Sequence, residues 1–225
     1  MTDSLCIALA QLNPTVGDIA GNLARARKAR AGGAALGADL VVFSELFITG
    51  YPPEDLILKP SFQDAAEAAI ADLAGDTANG GPALLIGTPW RENGDLYNAA
   101  VLLDHGEIAA RRYKYDLPNY GVFDEKRLFA AGPLPGPVSF RGMRLGVMVC
   151  EDMWAPDVAE CLQETGAEIL VIGNGSPFEA DKRDERMNLA IARVVETGLP
   201  LIYVNQFGGQ DELVFDGGSF VLAHD

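Results

Sequence analysis

Histidine is scarce in this chain. Two of its 225 residues are histidines, His105 and His224, and each lies in a turn-like context. Zinc sites of the usual His/Cys kinds need more ligands at closer spacing, and Ser/His/Asp or Cys/His catalysis would depend on one of these two imidazoles. The composition therefore disfavours a metal site, and it predicts that any catalysis uses carboxylate, lysine and thiol groups.

Cysteine is also scarce, and a long hydrophobic run is missing. The three cysteines, Cys6, Cys150 and Cys161, are odd in number and lack C-x-x-C spacing, which is typical of a reducing compartment rather than a disulfide framework. The first residues carry Asp3 and no basic cluster, unlike a secretory signal. No apolar run is long enough to cross a bilayer. We therefore expect a cytoplasmic protein with no membrane partner.

Basic residues are outnumbered by acidic ones. Seventeen Lys and Arg face 32 Asp and Glu, which gives a formal net charge of −15 at pH 7. Such a chain repels phosphate backbones unless its basic residues are concentrated in one patch. The basic stretches at residues 25–30 and 111–114 are short, and the first is predicted to be the solvated face of a helix. No nucleic-acid partner is expected.

What the chain does contain is a succession of short apolar runs that alternate with helical stretches. This pattern favours a layered α/β domain, and a length of 225 residues fits one large domain. Runs 96–103 and 107–113 flank an Asp-His-Gly turn and predict a hairpin, so the sheet is mixed. The predicted fold is an α-β-β-α sandwich with two mixed sheets covered by helices and with the last strands truncated. The other predicted strands are 5–10, 39–43, 83–87, 144–149, 168–172, 201–205 and 216–222, and the predicted helices are 22–36, 62–73, 156–165 and 183–197.

Three chemically different side chains follow three of the predicted strands. Glu45 follows strand 39–43, Lys114 follows strand 107–113, and Cys150 follows strand 144–149. In layered α/β folds, ligand chemistry gathers at the carboxyl ends of strands. We therefore expect these three side chains to converge in one pocket.

Cys150 lies where a strand turns into a probable helix near Pro156, a placement used for exposed nucleophiles. Amide groups and the positive end of the helix dipole would there favour thiolate over thiol. The alternative is a small buried hydrophobe, because free cysteine is frequently buried. Cys6 and Cys161 fall inside a predicted strand and a predicted helix, and we expect both to be packing residues.

Glu45 and Lys114 allow two interpretations. In a water-poor pocket, burial raises the pKa of a carboxyl group toward neutrality, so Glu45 is a candidate general base. Lys114 would then place a positive charge near the oxyanion of a tetrahedral intermediate. On chemistry alone, a structural salt bridge at the sheet edge explains the same two residues equally well.

The order Glu45, Lys114, Cys150 resembles the Glu–Lys–Cys triad of the nitrilase (carbon–nitrogen hydrolase) superfamily. The superfamily-like stretches are AQLNPTVGD at 10–18, FSEL at 43–46 and VCED at 149–152. Two segments, ELFITGYPPEDL at 45–56 and KYDLPNYGVFDE at 114–125, are similar to the glutaminase domain of glutamine-dependent NAD synthetases. The resemblance covers nearly the whole chain.

The resemblance implies a role for each matching residue. Glu45 corresponds to the general base, Cys150 to the nucleophile, Lys114 to the catalytic lysine and Glu125 to a second glutamate that orients the lysine. Backbone N–H groups near Glu151 would help to hold the oxyanion. Some members carry arginine where Lys182 stands. The implied substrate contacts are Tyr120, Glu151, Ser176 and Lys182.

The resemblance further implies hydrolysis of the side-chain amide of L-glutamine to glutamate and ammonia through a cysteine thioester. In that family the ammonia passes to an ATP-dependent synthetase domain that converts deamido-NAD to NAD. Residues 1–225 lack the Ser-Gly-Gly-x-Asp-Ser loop of that domain, so we expect a single nitrilase-like amidohydrolase domain cut from a longer enzyme. The C-terminal synthetase domain would then be its partner in the full-length chain.

The expected cofactor complement follows from the same resemblance. No cofactor is expected in this domain, and ATP and Mg are expected only for the missing synthetase domain. By analogy, the protein is expected to form a homo-oligomer.

Two other functions stay open. The first is a stand-alone nitrilase-type amidase or carbamoylase acting on a small amide, although segment 117–125 looks particular to the synthetase branch. The second is a non-catalytic α/β binding or assembly module in which Glu45, Lys114 and Cys150 are all structural.

Overall fold

Two five-stranded sheets pack face to face in the computed structural model, which describes residues 4–224. The strands are β1 (Ile7–Ala10), β2 (Leu40–Phe43), β3 (Ala83–Glu92), β4 (Asp95–Asp104), β5 (Glu107–Tyr113), β6 (Val138–Phe140), β7 (Met143–Val149), β8 (Ile169–Asn174), β9 (Leu201–Asn205), β10 (Phe207–Gln210), β11 (Leu213–Asp216) and β12 (Phe220–Leu222). The helices are α1 (Ile19–Ala35), α2 (Pro60–Asp76), α3 (Glu125–Leu128), α4 (Pro156–Glu164) and α5 (Lys182–Thr197).

Both sheets are mixed, as predicted. In the first, β1, β2 and β3 are parallel, and β4 and β5 follow as antiparallel neighbours. In the second, β7, β8 and β9 are parallel, with β6 and β12 antiparallel at the two edges. Strands β10 and β11 form a separate hairpin. Parallel strands end at a common edge, so the residues after β2, β7 and β8 are available for one site.

The hydrophobic core has three layers of contact. Apolar side chains of the two sheets meet in the centre, helices α1 and α2 cover the outer face of the first sheet, and α4 and α5 cover the outer face of the second. The predicted α-β-β-α arrangement is therefore confirmed. The central contact includes Val42, Leu85, Leu102, Val147, Val171 and Ile202.

The helix ends follow the local sequence. Asp18 caps α1 by accepting a hydrogen bond from the Gly21 N–H at 2.9 Å. Pro60 and Pro156 open α2 and α4, where the missing N–H of proline costs nothing. Gly198 ends α5 in the left-handed conformation, with φ of 67°.

One predicted strand, 216–222, is wrong. The structure ends β11 at Asp216 and begins β12 at Phe220. Between them Gly217 and Gly218 both have positive φ, 65° and 66°, a conformation that no β-strand adopts. Asp216 therefore pairs with Phe207 in the hairpin, whereas Phe220 pairs with Tyr203 in the second sheet. The short strands β6 and β10 and the short helix α3 were not predicted.

Two residue-level expectations are also wrong. Cys6 is exposed and precedes β1, which begins at Ile7, so it is not a packing residue inside a strand. Arg30 is buried rather than solvated, because its guanidinium donates to the carbonyl of Pro82 at 2.8 Å and to Oδ1 of Asn79 at 2.7 Å. Among the described residues, no helix combines the length and apolarity that a membrane span requires.

Candidate active site

Glu45 lies in a turn that is wedged between the two sheets. A Cβ atom on Gly87 would lie 2.3 Å from the backbone nitrogen of Leu46 and 2.5 Å from the carbonyl oxygen of Ser44. From the second sheet, a Cβ on Gly173 would lie 2.9 Å from the carbonyl oxygen of Phe43. Glycine at both positions lets the sheets close on this turn, which leaves Glu45 only 1% exposed.

Lys114 joins two buried carboxylates. It follows β5 and is fully buried, with Nζ 2.7 Å from Oε1 of Glu45 and 2.8 Å from Oε1 of Glu125. Burial disfavours the charged ammonium, but Glu125 and Glu45 outweigh this effect and raise the pKa of Lys114 well above its ordinary value. Burial also raises the pKa of Glu125, Lys114 lowers it and Glu45 raises it again, with a net upward shift. The three groups form one electrostatic unit.

Three further donors complete the hydrogen bonding of the carboxylates. The Asn98 amide donates to Oε1 of Glu45 at 2.7 Å and to Oε2 of Glu125 at 3.4 Å. The hydroxyl of Tyr51 donates to Oε1 of Glu125 at 2.9 Å, and the Gly175 N–H donates to Oε2 of Glu45 at 2.9 Å. Sequence reasoning missed Asn98 and Tyr51. Asn98 did carry a signal, a polar residue inside the apolar strand LYNAAVLL.

Cys150 follows β7 at the same buried centre. It is 3% exposed and has a positive φ of 46°, a sharp turn that projects its side chain from the strand end. Burial and the charge of Glu45 raise the pKa of the thiol well above its ordinary value, and Lys114 opposes them. Glu45 and Lys114 are in direct contact, and the charges of both act on the Cys150 thiol.

The structure does not support the expectation that a helix dipole favours the thiolate of Cys150. The segment that follows it is a single 3-10 turn, Cys150–Met153, and helix α4 begins only at Pro156. The positive end of the α4 dipole is therefore displaced from the sulfur, and the effect falls off within one turn. Burial and the charge of Glu45 instead raise the pKa of the thiol, which disfavours the thiolate.

Asp152 links the lysine segment to the cysteine segment, a role that sequence reasoning missed. Its Oδ1 accepts the N–H groups of Tyr115 and Asp116, both at 2.9 Å, and its Oδ2 accepts the N–H of Val149 at 2.9 Å. These donors directly follow Lys114 and directly precede Cys150. Burial raises the pKa of Asp152 to about 7, against the lowering effect of the backbone N–H donors.

The predicted substrate contacts Tyr120, Glu151 and Lys182 lie near the ring of Phe123. The Tyr120 hydroxyl donates to the Glu151 carboxylate at 2.9 Å, and its ring contacts Phe123 edge-on with centroids 5.4 Å apart. Nζ of Lys182 lies 5.5 Å from the same Phe123 ring. Tyr120 and Glu151 also line an open cleft of about 420 Å³ beside the buried centre.

Ser176, the remaining predicted contact, is held in place by hydrogen bonds with Arg186 and Asn205. It is buried, and its Oγ accepts a hydrogen bond from Nε of Arg186 at 3.0 Å. Its N–H donates to Oδ1 of Asn205 at 3.0 Å, and its carbonyl accepts from both side chains. Arg186 and Asn205 therefore fix the loop that presents Ser176 and the neighbouring Gly175 N–H.

The arrangement supplies a buried carboxylate and a buried ammonium in direct contact, together with a buried thiol on which both charges act. This set can transfer a proton, stabilise an oxyanion and form a thioester. Within residues 4–224, no cluster of three or more His, Cys, Asp or Glu side chains could hold a metal ion.

Comparison with known proteins defines the class. The family model for carbon–nitrogen hydrolases matches residues 6–225. The chain therefore belongs to the carbon–nitrogen hydrolase family, and the predicted resemblance to this superfamily is confirmed.

The similar proteins narrow the class further. A glutamine-dependent NAD(+) synthetase from Rhodobacter capsulatus is 51% identical over 225 residues, which are 100% of this chain and 41% of that protein. One from Thermotoga maritima is 41% identical over 220 residues, which are 97% of this chain and 38% of that protein. The chain thus spans about two fifths of the length of these curated relatives.

Solved structures are similar to this chain at both levels, within the carbon–nitrogen hydrolase family and among the glutamine-dependent NAD synthetases. The glutamine-dependent NAD+ synthetase from Acinetobacter baumannii, in complex with ADP, has a TM-score of 0.92 and 34% identity, covering 97% of this chain and 41% of that chain. A mutant of the amidase from Nesterenkonia sp. AN1, solved after Michael addition of acrylamide at the active site cysteine, has a TM-score of 0.88 and 31% identity, covering 98% and 86%.

Proposed function

We propose that this chain hydrolyses the side-chain amide of L-glutamine to glutamate and ammonia. The observation that carries the proposal is the buried cluster of Lys114 between Glu45 and Glu125, coupled to the thiol of Cys150. A salt bridge that served only to stabilise the fold would not explain why a buried cysteine, Cys150, follows β7 with a positive φ. The similarity to glutamine-dependent NAD synthetases supports glutamine as the amide.

The first half of the reaction forms the thioester. Glu45 accepts the thiol proton as the sulfur of Cys150 attacks the amide carbon, so the C–S bond forms and the carbonyl oxygen becomes an oxyanion. Lys114 and backbone N–H groups near Glu151 stabilise this oxyanion. Glu45 then gives its proton to the leaving nitrogen, the C–N bond breaks, and ammonia departs.

The second half releases glutamate. A water molecule gives one proton to Glu45 and attacks the thioester carbon, which forms the second tetrahedral intermediate. The C–S bond then breaks, and the proton on Glu45 returns to the sulfur, which restores the thiol. Glu125 keeps Nζ of Lys114 in place through both halves.

The opening of the pocket fits the two charges of a free amino acid. The ammonium of Lys182 lies 5.5 and 5.7 Å from the ring centroids of Phe123 and Trp154 and pairs with Glu179 at 2.8 Å. It would exchange Glu179 for the α-carboxylate of glutamine. The carboxylate of Glu151, held by Tyr120, would bind the α-ammonium group. Ser176 adds a polar contact from the opposite loop.

The wider context of the reaction belongs to the same proposal. Residues 1–225 would act as one amidohydrolase domain of a longer chain, and its ammonia would pass to an ATP-dependent synthetase domain that makes NAD from deamido-NAD. The relatives, of which this chain covers about two fifths, support that arrangement. ATP and Mg would bind to the synthetase domain alone, and a homo-oligomeric cytoplasmic enzyme is part of the proposal.

A second candidate is an amidase that acts on a small amide. It is favoured by the similarity to the Nesterenkonia amidase, of which this chain covers 86%. The two candidates differ at Lys182 and Glu151, because a small neutral amide needs neither charge. Hydrolysis rates for glutamine and for propionamide therefore distinguish them.

The test of the proposed function is covalent labelling with the diazo-ketone analogue of glutamine, followed by mass spectrometry of peptides. We expect one adduct, on Cys150, and protection of that adduct by excess glutamine. The exposed Cys6 and the half-buried Cys161 serve as internal controls. Labelling of all three cysteines, or of none, would support the non-catalytic module instead.

A further inference from the structure

Asn98 lies inside the buried cluster and contacts both carboxylates. It is in β4, opposite Pro89 of β3, and is fully buried. Its Nδ2 is 2.7 Å from Oε1 of Glu45 and 3.4 Å from Oε2 of Glu125. Its own carbonyl accepts the backbone N–H of Lys114 at 2.8 Å, so one residue fixes all three charged groups.

The orientation of the Asn98 amide is determined by its neighbours. Both carboxylates can only accept hydrogen bonds when ionised, so Nδ2 must face them and Oδ1 must face away. Within residues 4–224, Oδ1 then has no hydrogen-bond partner. An unpaired buried acceptor costs about 1–3 kcal/mol. The two carboxylates therefore set the orientation of the Asn98 amide.

The charges around Glu45 explain why its second side-chain donor is the neutral amide of Asn98 rather than another cation. The titratable groups that face it are Lys114 from the end of β5, Glu125 from α3, Cys150 from the end of β7 and Tyr51 from the loop after β2. Lys114 is the single cation of this set and serves two carboxylates. A second cation would neutralise the cluster, whereas an amide stabilises the charged carboxylate without changing the total charge.

We propose that Asn98 is a positioning residue for the amide hydrolysis proposed above, on which this inference rests: its amide fixes Oε1 of Glu45 in the orientation in which that carboxylate accepts the thiol proton. Asn98 acts through Glu45 and need not touch the substrate. Its loss therefore affects the proton-transfer step and spares the binding of glutamine at the opening.

The first experiment uses Asn98→Asp and Asn98→Leu, two substitutions that keep the branched shape of the side chain and remove the donor with and without adding a carboxyl group. We expect kcat to fall about 100-fold, the usual effect of a misplaced catalytic group, with little change in KM. The acidic limb of the pH profile of kcat/KM should move to higher pH, because a carboxylate that loses a donor is protonated more easily.

The matched control is Asn22→Asp. Asn22 is also fully buried, but it bonds to the backbone of Thr15 and Ile48 and lies outside the cluster. It should change stability without moving the pH profile. Asn98 variants whose pH profile coincides with that of the wild type would overturn the proposal.

A second readout needs no substrate and so separates this inference from the proposed function. With Cys6 and Cys161 replaced by serine, the rate of Cys150 alkylation by iodoacetamide is measured against pH. Asn98→Asp should move the midpoint to higher pH, because a third carboxyl group disfavours the thiolate. If the wild type does not hydrolyse glutamine but the midpoint still moves, the proposed function fails and the role of Asn98 stands; an unmoved midpoint overturns that role.

A third measurement covers variants that fail to fold, because it leaves Asn98 in place. The side-chain amide resonance of Asn98 is followed by nitrogen-15 NMR in the wild type and in Glu45→Gln. We expect a displaced resonance that loses its pH dependence in Glu45→Gln. An Asn98 amide resonance that is the same in the wild type and in Glu45→Gln would contradict the proposal.

Discussion

Replacing Lys114 by methionine tests the buried cluster most directly. Methionine keeps most of the volume of lysine and removes the ammonium that lies 2.7 Å from Glu45 and 2.8 Å from Glu125. The cluster then holds two carboxylates and no cation, with Asn98 and Tyr51 as the remaining side-chain donors. Both catalysis and stability should respond, for separate reasons.

The magnitudes follow from burial. Removing one partner of a fully buried ion pair leaves an uncompensated charge and costs about 3–5 kcal/mol of unfolding free energy. Here the folded state can recover part of this cost by taking up a proton on Glu45 or Glu125, at about 1.4 kcal/mol per pH unit. Turnover should fall at least about 1,000-fold, because the main oxyanion stabiliser is lost.

The assay measures urea unfolding and glutamine hydrolysis at pH 8 and at pH 5. We expect a large stability loss at pH 8 that becomes smaller at pH 5, with activity abolished at both. Adding Glu125→Gln to Lys114→Met should restore stability at pH 8 but not activity. Lys28→Met, the same change at an exposed position on α1, should affect neither.

Two results would refute the reasoning. Near-normal turnover in Lys114→Met would show that the ammonium is not part of the catalytic machinery. An equal loss of stability at pH 5 and pH 8 would show that the destabilisation is a packing defect and that neither Glu45 nor Glu125 takes up a proton when the ammonium is removed.

Two further predictions concern the supports of the cluster. Burial raises the pKa of Asp152 to about 7, so the folded state binds more protons than the unfolded state between about pH 4 and 7. The stability of the wild type relative to Asp152→Asn, measured by urea unfolding, should therefore decline as pH rises through this window. A difference in stability that stays constant with pH would contradict this prediction. Gly87→Ala should destabilise by about 1–3 kcal/mol and reduce glutamine hydrolysis, since its Cβ would lie 2.3 Å from the Leu46 nitrogen. The control is Gly75→Ala on α2, where a Cβ meets nothing within 4 Å and thermal unfolding should show no loss.

The layered fold and the three strand-end residues could be predicted because both depend on short-range pattern. A strand that is apolar on both faces has identifiable ends, and the side chain that follows the end must lie at the edge of the sheet. Glu45, Lys114 and Cys150 each stand at such an end. Their convergence also needs the two sheets to stack with these strand ends on the same side, because β2 and β5 belong to the first sheet and β7 to the second.

Other features depend on contacts that no local pattern reports. Asn98 reaches Glu45 because of the pairing of β3 with β4, which decides the face on which its side chain lies. Arg30 is buried because Asn79 and Pro82, far along the chain, supply its acceptors. The thiol state of Cys150 depends in the same way on the balance between burial, Glu45 and Lys114, which only the assembled pocket sets.

That balance explains how a buried thiol can still act as a nucleophile. The cluster holds two carboxylates and one ammonium, so a free thiolate would add a third negative charge to a water-poor site. Transfer of the thiol proton to Glu45 avoids this cost, because the negative charge moves from the carboxylate to the sulfur while the total stays constant. As the C–S bond forms, the charge moves on to the carbonyl oxygen beside Lys114. A neutral histidine base would also keep the total charge constant, but it would create two opposite charges from two neutral groups in the water-poor site, whereas a carboxylate only passes an existing negative charge to the sulfur.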